Sequence, residues 1–567
     1  MTQSNEAFLE ALRQSDAIPK AALERLVDRH HGGTLELLRA VIQDGYLGKS
    51  RACRMWGDSI GKAYVDPFEL IVSREAVNSI PYEIATKKTV LGLYRFGNVL
   101  SVALPDPYDV EFLERLEKIV QGPVSPLFGL PSEIETAIAI QYQTRNDLVN
   151  RLKSLTEEGF RIDEAQSGDQ VAVMAEAVPV VELFESLMYY ALRERASDVH
   201  IQPQEEAVSV RIRVDGILRE GIRFPRTLGP ALAARVKVMC DLDISERRLP
   251  QDGRFSFDLG GNTAHFRVSV MPSIHGEKVV IRVLNVSGVK QVMELEKMFF
   301  SQTVLQPFRK MIQRPNGIIF VTGPTGSGKT TTLYGALNEI NVVGQNLVTI
   351  EDPVEYQLNG LTQVQVKPGI GLTFGRVLRS TLRQDPDVIL VGEIRDLETA
   401  KTASEAALTG HLVFATLHTN NAVQATVRLI ELGVEPFIVA PSILGVLSQR
   451  LAARICENCR EPYYPPREEL RRHFLDEGLE KVAFYRGAGC SECGNSGYQG
   501  RVAVHELVIV TEEMRAMISG GADLVELARA ARRAGYHPMR YDGLKKVLLG
   551  LTTIDEIERI TMEEMPI

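Results

Sequence analysis

The sequence contains a glycine-rich loop whose residue types and spacing suit the binding of a phosphate chain. It reads Gly323-Pro324-Thr325-Gly326-Ser327-Gly328-Lys329-Thr330 and is followed by Thr331. Glycines let backbone N–H groups curl around phosphate oxygens without a side chain in the way. In such loops the lysine, here Lys329, reaches the β and γ phosphates, and the hydroxyl of Thr330 ligates Mg²⁺. The loop therefore predicts a site for ATP and magnesium.

The segments on either side of the loop have the order that this chemistry requires. Gly317–Val321 is an apolar run that predicts a strand leading into the loop. Thr330–Ile340 predicts a helix, since Leu333, Leu337 and Ile340 fall on one face. The start of a helix adds partial positive charge where phosphates bind. The alternative is a glycine turn between a strand and a helix that binds nothing.

ATP hydrolysis next requires an acid that orients or activates water. Val388–Val391 predicts a short apolar strand, and Gly392 and Glu393 follow it. Ligands in sheets of this kind bind beyond the carboxyl ends of the strands, which is where Glu393 falls. Gly392 stands where such strands usually carry an acid, so Glu393 alone is predicted to serve the water shell of the metal. The alternative for Glu393 is an ordinary acid at a helix start.

A second apolar strand, predicted at Leu347–Ile350, ends in three carboxylates. These belong to Glu351, Asp352 and Glu355. Packing explains them poorly, because an acid buried without a partner is costly. They are candidates for the same site, with a solvated loop as the alternative.

Two histidines, His411 and His418, bracket a third predicted strand at Leu412–Leu417. Either one could be a core histidine whose hydrogen bonds are satisfied inside the fold. The residue pattern favours that interpretation for at least one of them.

Four of the six cysteines form two Cys-x-x-Cys pairs. Cys456 and Cys459 make the first pair, Cys490 and Cys493 the second, and 30 residues lie between the pairs. Each short loop presents two sulfurs to one ion, and four thiolates suit tetrahedral Zn²⁺. The pattern predicts a structural zinc site, with four incidental thiols as the alternative.

A chain of 567 residues is too long for one core and predicts three or four domains. Alternating apolar and polar residues predict one strand over Ala207–Leu218, and from Gly317 onward short apolar strands alternate with helices, which predicts a doubly wound parallel sheet. The predicted N-terminal part consists of a helical segment at 1–60 and an α/β module at 61–145, followed by a polar acidic linker at 146–176. An α+β domain is predicted at 177–300 and an α/β domain at 301–567. The cysteine pairs fall in an insertion of this last domain at about 452–500.

The bulk composition is that of a globular protein and argues against several other classes of protein. Hydrophobic residues make up 44% and charged residues 24% of the chain, as in ordinary globular proteins. The net charge of −9 and pI of about 5.8 argue weakly against a nucleic-acid motor, which usually has a basic surface. No apolar stretch approaches the roughly 20 residues needed to cross a bilayer, and the first thirty residues lack the apolar run of a secretion signal. We expect a soluble intracellular protein.

Several long motifs make the sequence resemble the ATPases that power type II secretion and type IV pilus assembly. The resemblance covers nearly the whole chain, from Val65 to Thr553. It implies a multidomain α/β protein: a RecA-like P-loop NTPase domain, a preceding PAS-like α+β domain and an N-terminal α/β module. The most specific motifs, in matching order, are Ala196–Pro203, Leu249–Arg254, Thr349–Glu355, Leu382–Asp387, Gly392–Asp396 and Thr409–Asn420.

The resemblance implies roles for acids and histidines that spacing alone does not assign. Glu355 matches the acid of the family's aspartate box that faces the γ phosphate, and Glu393 matches its Walker B glutamate. The segment Thr409–Asn420 is similar to its histidine box. That similarity places His418 close to the nucleotide and extends the same expectation to His411.

The resemblance also implies that arginines complete the site. Arg254 and Arg267 match arginines that the smaller preceding domain contributes to the nucleotide, and Arg501 matches another near it. The arginines similar to those that line subunit contacts are Arg379, Arg383 and Arg395.

The family works as a homohexameric ring, peripheral to the cytoplasmic side of the inner membrane, on an integral platform protein and bitopic recruitment proteins. By resemblance, ATP hydrolysis here adds pilin or pseudopilin subunits to a fibre, and no nucleic acid is expected. In some members the N-terminal module binds cyclic di-GMP; the first helices here lack the Arg-Leu-Gly pattern of those members, so that ligand is not carried over. The tetracysteine module favours the assembly and secretion branch over the pilus-retraction branch.

Three choices stay open from the sequence. The cysteine pairs and the N-terminal module suit type II secretion and type IV pilus assembly equally. A nucleic-acid translocase on the same ATPase core is an alternative, which DNA-stimulated turnover that falls steeply with salt would favour. A scaffold that binds ATP without hydrolysing it is another, and the presence of both Glu355 and Glu393 speaks against it.

Overall fold

The computed structural model describes the chain apart from residues 1–7, 14–17, 30–33, 45, 48, 69, 71, 143–147, 150–151, 153–174, 260–261, 287–293, 343, 356, 418, 420, 473–482, 491 and 562–567. The chain divides into two compact units, Met1–Lys290 and Gln291–Ile567. Most of the predicted linker, and also His418, lie outside the described residues. No helix in the described part has both the length and the apolar character needed to span a membrane.

The first unit begins with helices that pack on a small sheet. The strands of this sheet are β1 (Leu91–Phe96), β2 (Val99–Leu104) and β3 (Val124–Phe128). β2 lies between β1, to which it is antiparallel, and β3, to which it is parallel. The helices of this part are Lys20–Arg29, Thr34–Gln43, Lys49–Ser59, Arg74–Asn78, Tyr82–Lys88, Val110–Val120 and Pro131–Gln141.

Buried contacts join the helical segment to the small sheet. The ring centroids of Trp56 and of Phe128 in β3 lie 4.0 Å apart. The Lys49 ammonium pairs with the buried carboxylate of Asp66 at 3.0 Å and with that of Glu133. The residues predicted as separate helical and α/β segments therefore share one packed region.

The second sheet of this unit is antiparallel throughout and has six strands. These are β4 (Ala196–Pro203), β5 (Ala207–Val214), β6 (Ile217–Pro225), β7 (Gln251–Leu259), β8 (Asn262–Ser273) and β9 (Gly276–Val286). Their order across the sheet is β6-β5-β4-β9-β8-β7. Apolar residues of the helices Val178–Arg193 and Gly229–Met239 join the core of this sheet, so the predicted α+β class is confirmed.

One strand prediction is wrong in this sheet. The single strand predicted over Ala207–Leu218 ends at Val214, and the next strand begins at Ile217. Asp215 and Gly216 form a two-residue turn between them, with φ angles of 50° and 85°. Positive φ at both positions is what a tight hairpin turn requires, so this pair reverses the chain where the apolar alternation suggested continuity.

The second unit contains a seven-stranded sheet and a separate pair of short strands. These strands are β10 (Gly317–Thr322), β11 (Leu347–Glu351), β12 (Thr362–Gln365), β13 (Val388–Val391), β14 (Leu412–Leu417), β15 (Ile443–Ile455), β16 (Arg460–Tyr463), β17 (Phe484–Gly487) and β18 (Tyr498–Ile509). The large sheet has the order β12-β11-β13-β14-β10-β15-β18, and β16 pairs with β17. The helices are Gln302–Ile312, Lys329–Ile340, Phe374–Thr381, Leu397–Leu408, Ala422–Glu431, Pro436–Ser442, Arg467–Arg472, Glu512–Ser519, Leu524–Arg533, Met539–Leu548 and Ile554–Ile560.

The large sheet is covered on both faces, as the doubly wound prediction requires. Ile318 and Phe320 of β10 belong to one buried cluster, and Ile319 and Val321 to another. Because successive side chains of a strand point to opposite faces, these clusters lie on opposite sides of the sheet. The expectation of a wholly parallel sheet needs one correction, since β18 runs antiparallel to β15 at the edge. The segment between them, residues 456–497, contains the cysteine pairs and the short strands β16 and β17.

Candidate active site

The carboxyl ends of four parallel strands meet at one edge of the large sheet. β10 and β14 end in register at Thr322 and Leu417, and β11 and β13 pair side by side. The glycine-rich loop after β10, the acidic segment after β11 and Glu393 after β13 therefore lie along the same edge. This is the edge at which sheets of this kind bind ligands.

The glycine-rich loop joins β10 to the helix Lys329–Ile340, as predicted. Gly323, Gly326 and Gly328 have φ angles of 141°, 79° and 88°, a region that side chains other than glycine rarely adopt. A Cβ atom on Gly323 would lie 2.3 Å from the carbonyl oxygen of Gln449. Both the backbone conformation and the close approach of β15 therefore require glycine in this loop.

Lys329 folds back over the loop that precedes it. Its ammonium donates hydrogen bonds to the carbonyl oxygens of Gly323 at 2.8 Å and of Pro324 at 3.1 Å. Burial lowers the pKa of Lys329 below its usual value, while the negative charge of Glu393 raises it in part. The negative charge of Glu393 therefore acts on the lysine at the loop.

Glu393 follows β13 as predicted, and its side chain is mostly buried. The Nε atom of Arg395 lies 2.7 Å from its carboxylate. At the preceding position, a Cβ on Gly392 would lie 3.0 Å from the carbonyl oxygen of Ile350 and 3.4 Å from the ring of Phe374. There is little room for a side chain at Gly392, which accounts for the missing second acid on this strand.

The acidic segment after β11 separates into one buried and two exposed acids. The buried carboxylate of Glu351 accepts hydrogen bonds from Thr349 Oγ1 at 2.6 Å, from Gln363 Nε2 at 3.1 Å and from the Tyr334 hydroxyl. The expectation that packing explains all three carboxylates poorly is therefore wrong for Glu351, whose charge is satisfied inside the fold. The other two acids of the segment, Asp352 and Glu355, are exposed at the sheet edge.

In the sequence, His411 comes directly before β14 and His418 directly after it. His411 precedes β14, and its carbonyl oxygen accepts a hydrogen bond from the backbone N–H of Gly317 at the start of β10. The strand places His411 roughly 20 Å from the edge that carries the loop. The suggestion that His411 lies close to the nucleotide is therefore corrected: the residue is half-buried, and its Nδ1 lies 2.9 Å from the Ala406 carbonyl oxygen. The role predicted for His418 stays a prediction.

The four paired cysteines come together in one cluster. All four sulfur atoms lie within 4.8 Å of one another. The distances are 3.9 Å between Cys456 and Cys490, 3.8 Å between Cys459 and Cys493, and 3.7 Å between Cys490 and Cys493. Zinc–sulfur bonds of about 2.3 Å in a tetrahedron separate the sulfurs by about 3.8 Å, so the cluster fits one tetrahedral ion.

Backbone donors surround the cysteine sulfurs. The Cys459 sulfur accepts from the Gly489 N–H at 3.2 Å, and the Cys493 sulfur accepts from the N–H groups of Cys490 and Gly497 at 3.2 and 3.3 Å. Burial raises the pKa of the Cys490 thiol, but hydrogen bonds, the strongest from Asn458, lower it to about 6. Such donors favour thiolates, which are the form that binds metal.

Comparison with known proteins identifies the family. The model for "Type II/IV secretion system protein" matches residues 173–559, and the model for the MshEN domain matches residues 60–147. Type II secretion system ATPase E of Vibrio cholerae is 40% identical over 504 residues, which cover 87% of this chain and 99% of the relative. Type IV pilus assembly ATPase PilB of Myxococcus xanthus is 36% identical over 556 residues, 97% of either chain.

The chain belongs to the type II/IV secretion system protein family. This secretion-family protein is an ATPase, as the sequence predicted. The relatives give no support to the alternative of a nucleic-acid translocase. The X-ray structure of the ATPase DotB of Yersinia pseudotuberculosis matches with a TM-score of 0.50 at 21% identity, covering 67% of this chain and 93% of that one. At this identity the likeness shows the fold alone, and it agrees with the predicted RecA-like ATPase fold.

In the secretion-family ATPase, the two arginines predicted to reach the nucleotide from the preceding domain are direct cross-strand neighbours. Arg254 of β7 pairs with Arg267 of β8, which pairs with Arg282 of β9. Residues directly opposite each other share one face of a sheet, so three exposed guanidinium groups line up there. The guanidinium group of Arg282 pairs with Asp198 of β4, whose carboxylate accepts a hydrogen bond from Arg282 Nε at 2.8 Å.

The other predicted arginines lie in the second unit. Arg379 pairs with Glu398, and Arg395 pairs with Glu393. Arg383 donates to the carbonyl oxygen of Arg379 at 2.9 Å. Arg501 is exposed on β18 and lies opposite Ala453 of β15. Since β10 ends beside Ser448 of β15, Arg501 lies beyond the carboxyl end of β10, towards the edge of the sheet that carries the glycine-rich loop.

Sequence reasoning missed one residue that contacts the loop directly. Gln449 lies in β15 and is buried against Ser327 and Thr332. The available signal was the polar run Ser448-Gln449-Arg450 inside a strand whose other residues, apart from Arg454, are apolar or glycine. A polar side chain in such a strand needs a partner, but its position in sequence does not say which one.

Proposed function

We propose that this secretion-family ATPase is the motor that powers assembly of pilin or pseudopilin fibres, in type II secretion or in type IV pilus biogenesis. The observation that carries the proposal is that the glycine-rich loop with Lys329, after β10, and Glu393, after β13, lie at the same edge of the parallel sheet. It occurs in a chain that spans 99% of a type II secretion ATPase and 97% of a pilus assembly ATPase. An enzyme that hydrolyses ATP needs both charges there, one for the phosphates and one for water.

The loop residues are assigned to the phosphates of ATP. Its glycines let backbone N–H groups of the loop approach phosphate oxygens, and the Lys329 ammonium donates to the Gly323 and Pro324 carbonyl oxygens of the same loop. Thr330 and Thr331 lie in the first turn of the helix Lys329–Ile340, where the partial positive charge of the helix is greatest. The Thr330 hydroxyl would hold Mg²⁺, which when bound supplies positive charge to the β and γ oxygens.

The two glutamates are assigned to the attacking water and the γ phosphate. Glu393 is mostly buried beside Arg395 and is assigned as the carboxylate that accepts a proton from the attacking water. Glu355, exposed at the end of the acidic segment, is assigned the place facing the γ phosphate. His418 completes this group by resemblance.

A composite site would account for the row of arginines in the first unit. Like charges directly opposite each other on neighbouring strands repel, and a bound phosphate chain would offset that repulsion between Arg254 and Arg267. Arg254 and Arg267 would add positive charge to the phosphates when the first unit closes over a nucleotide, its own or a neighbour's. We propose that this closure takes place in a ring of six, with Arg379, Arg383 and Arg395 at subunit contacts and Arg501 near the nucleotide.

Zinc is the metal proposed for the cysteine cluster. The sulfur–sulfur distances match tetrahedral geometry, and four thiolates are a common ligand set for structural zinc. Cys456, Cys459, Cys490 and Cys493 would close the site completely. It would therefore hold the segment together and take no part in the reaction.

The proposed setting is the cytoplasmic face of the inner membrane. The ring would dock on an integral platform protein and on a bitopic recruitment protein, the latter through the N-terminal module that matches the MshEN domain. Whether that module also binds cyclic di-GMP is a separate question, which titration of the full chain with that dinucleotide would answer.

ATP turnover by two variants tests the proposal. Lys329→Ala should abolish turnover, because the phosphates lose their lysine. Glu393→Gln should keep ATP bound and slow hydrolysis by ~10²–10⁴-fold, the range for a positioned proton acceptor. Glu405→Gln, an exposed acid on the helix Leu397–Leu408, is the matched control and should retain activity. Equal turnover by the wild type and Glu393→Gln would refute the assignment.

A second experiment separates the two biological settings. The gene would be deleted in its own host, and secreted enzymes and surface pili would be measured separately. Loss of only one of them identifies the machine that the motor serves. Retention of both would contradict the proposed function.

A further inference from the structure

Gln449 joins the glycine-rich loop to the helix that follows it. This residue of β15 is 3% exposed and lies 122 positions from Ser327. Its Nε2 atom donates to the Ser327 carbonyl oxygen at 2.7 Å, and its Oε1 atom accepts from Thr332 Oγ1 at 2.6 Å. One buried amide therefore contacts the chain on both sides of Lys329 and Thr330.

The first hydrogen bond sets the direction of one peptide group in the loop. In a planar trans peptide the C=O and N–H bonds point in opposite directions. With the Ser327 carbonyl directed at Gln449, the N–H of Gly328 must point away from it, out of the protein core. A loop that binds phosphate needs its N–H groups turned outward and its carbonyl groups turned away.

The second hydrogen bond fixes the first turn of the helix. Thr332 is buried, and its backbone N–H also donates to the Gly328 carbonyl oxygen at 3.1 Å. The amide of Gln449 therefore restrains Gly328, Lys329 and Thr330 from both ends. A Cβ on Gly328 would lie 2.8 Å from the Gln449 nitrogen, so the loop is wrapped closely around this side chain.

The glutamine amide, which has both a donor and an acceptor, satisfies both contacts at once. A carboxylate has no donor for the Ser327 carbonyl, and an apolar side chain of equal length leaves both partners unpaired. We propose that Gln449 is a positioning residue for ATP hydrolysis, holding the Ser327–Gly328 peptide in the orientation that binds the nucleotide phosphates. The inference rests on the proposed role of the Gly323–Thr330 loop.

Nucleotide binding by two variants tests the proposal in the full chain. The probe is a fluorescent ADP analogue with Mg²⁺, and KM for ATP is measured in parallel. Gln449→Glu should weaken binding and raise KM roughly 10- to 100-fold, since a buried carbonyl loses its donor and faces a second acceptor. Thr332→Val removes only the other contact and should give a smaller shift of roughly 3- to 10-fold.

Ser448→Ala is the matched control. Ser448 neighbours Gln449 in β15, is equally buried, and has a hydroxyl with no hydrogen-bond partner among the described residues. Its loss should leave binding within about two-fold, because no hydrogen bond is removed. A shift as large as that of Thr332→Val would overturn the proposal, since it would assign the effect to general loosening of the strand.

The pH dependence of Gln449→Glu distinguishes positioning from general stability. A buried carboxyl has a raised pKa, and its protonated form carries one O–H donor and one carbonyl acceptor, like the amide. Binding by this variant should therefore recover between about pH 8 and about pH 5.5, while that of the wild type changes little. A defect that is constant over this range would overturn the proposal.

Thermal unfolding is measured for every variant. If Gln449→Glu does not unfold cooperatively, the milder Thr332→Val decides the outcome. Folded variants whose binding stays within two-fold of wild type would refute the role of Gln449. Lys329→Ala is measured alongside: full turnover by that variant would refute the loop itself, and with it the function proposed above.

Discussion

The cysteine cluster and the nucleotide loop differ in how far along the chain their parts lie. All four sulfurs come from the segment between Cys456 and Cys493, and the backbone donors to them lie within or next to it. The loop is eight consecutive residues, yet its support comes from Gln449 and its proposed chemistry from Glu393 and from arginines of another unit. The cluster is complete within one segment, whereas the loop depends on the tertiary structure.

This difference predicts how the cysteine cluster and the nucleotide loop respond to amino-acid substitutions. A cluster closed by local contacts should lose its structure locally and leave the rest of the fold in place. A site assembled from distant segments should lose activity through substitutions far away in the sequence. The following experiments test that contrast, from the largest expected effect to the smallest.

Loss of one zinc ligand should have the largest effect, confined to its own segment. The purified chain should contain one Zn²⁺ per subunit, and Cys459→Ser should release it. Structural zinc in small domains contributes about 10–16 kcal/mol of apparent binding free energy, so residues 452–500 should lose protection from hydrogen exchange. Binding of the nucleotide should be retained at first.

Cys240→Ala is the control for this experiment, because Cys240 is a buried cysteine of the first unit. It should keep the full zinc content. Protein purified without chelator that contains no metal would contradict the zinc assignment. An immediate loss of nucleotide binding in Cys459→Ser would contradict the local character of the cluster.

Arg267→Ala should lower turnover with little change in ATP binding. An arginine that stabilises the transferring phosphoryl group can contribute ~10³–10⁵ in rate, well above the value of a surface ion pair. Turnover per subunit of the wild type should also rise with protein concentration as rings form. Steady-state rates and light scattering over a concentration series measure both effects.

Arg223→Ala is the matched control for Arg267→Ala. Arg223 is exposed on the edge strand β6 of the same sheet and pairs with Glu220 at 2.8 Å. Its loss should change turnover by less than about two-fold, as for an ordinary surface ion pair. A monomer with concentration-independent turnover that Arg267→Ala does not affect would rule out the composite site.

Gly392→Ala should have the smallest effect of the series. The added methyl group would press on the Ile350 carbonyl oxygen and on Phe374 and displace the end of β13. Overpacking of this kind costs about 1–3 kcal/mol of unfolding free energy, and turnover should fall several-fold because Glu393 moves with the strand. In Gly369→Ala, where the methyl group meets open space, stability should be nearly unchanged. Equal stability of the two variants would show that Gly392 is not held by close packing.

Local signals predicted the framework of the site well. The strand before the loop, the helix after it and the strand at Leu412–Leu417 are confirmed within a residue or two. Each is specified by apolar periodicity and glycine position, which act over a few residues. The one strand that failed, Ala207–Leu218, contained the Asp215-Gly216 pair, a turn signal that the longer apolar alternation masked.

Contacts between distant segments could not be predicted in this way. Glu351 and Glu355 stand in one acidic run, but only the tertiary structure shows that Tyr334, Thr349 and Gln363 bury the first and leave the second exposed. The difference depends on which strand lies beside β11 and in what register. A one-residue shift would exchange the two faces of the strand, and no local pattern fixes that choice.

The sequence by itself determined the chemistry that is present: the loop with Lys329 and Thr330, the carboxylate of Glu393, and the four paired cysteines. These depend on residue type and on short spacing, which the chain retains whatever its fold. The tertiary structure alone decided that Gln449 holds the loop, that Gly392 has little room for a side chain, and that Arg254 and Arg267 are neighbours. Those facts follow from strand order and register, which are set by the packing of the whole sheet.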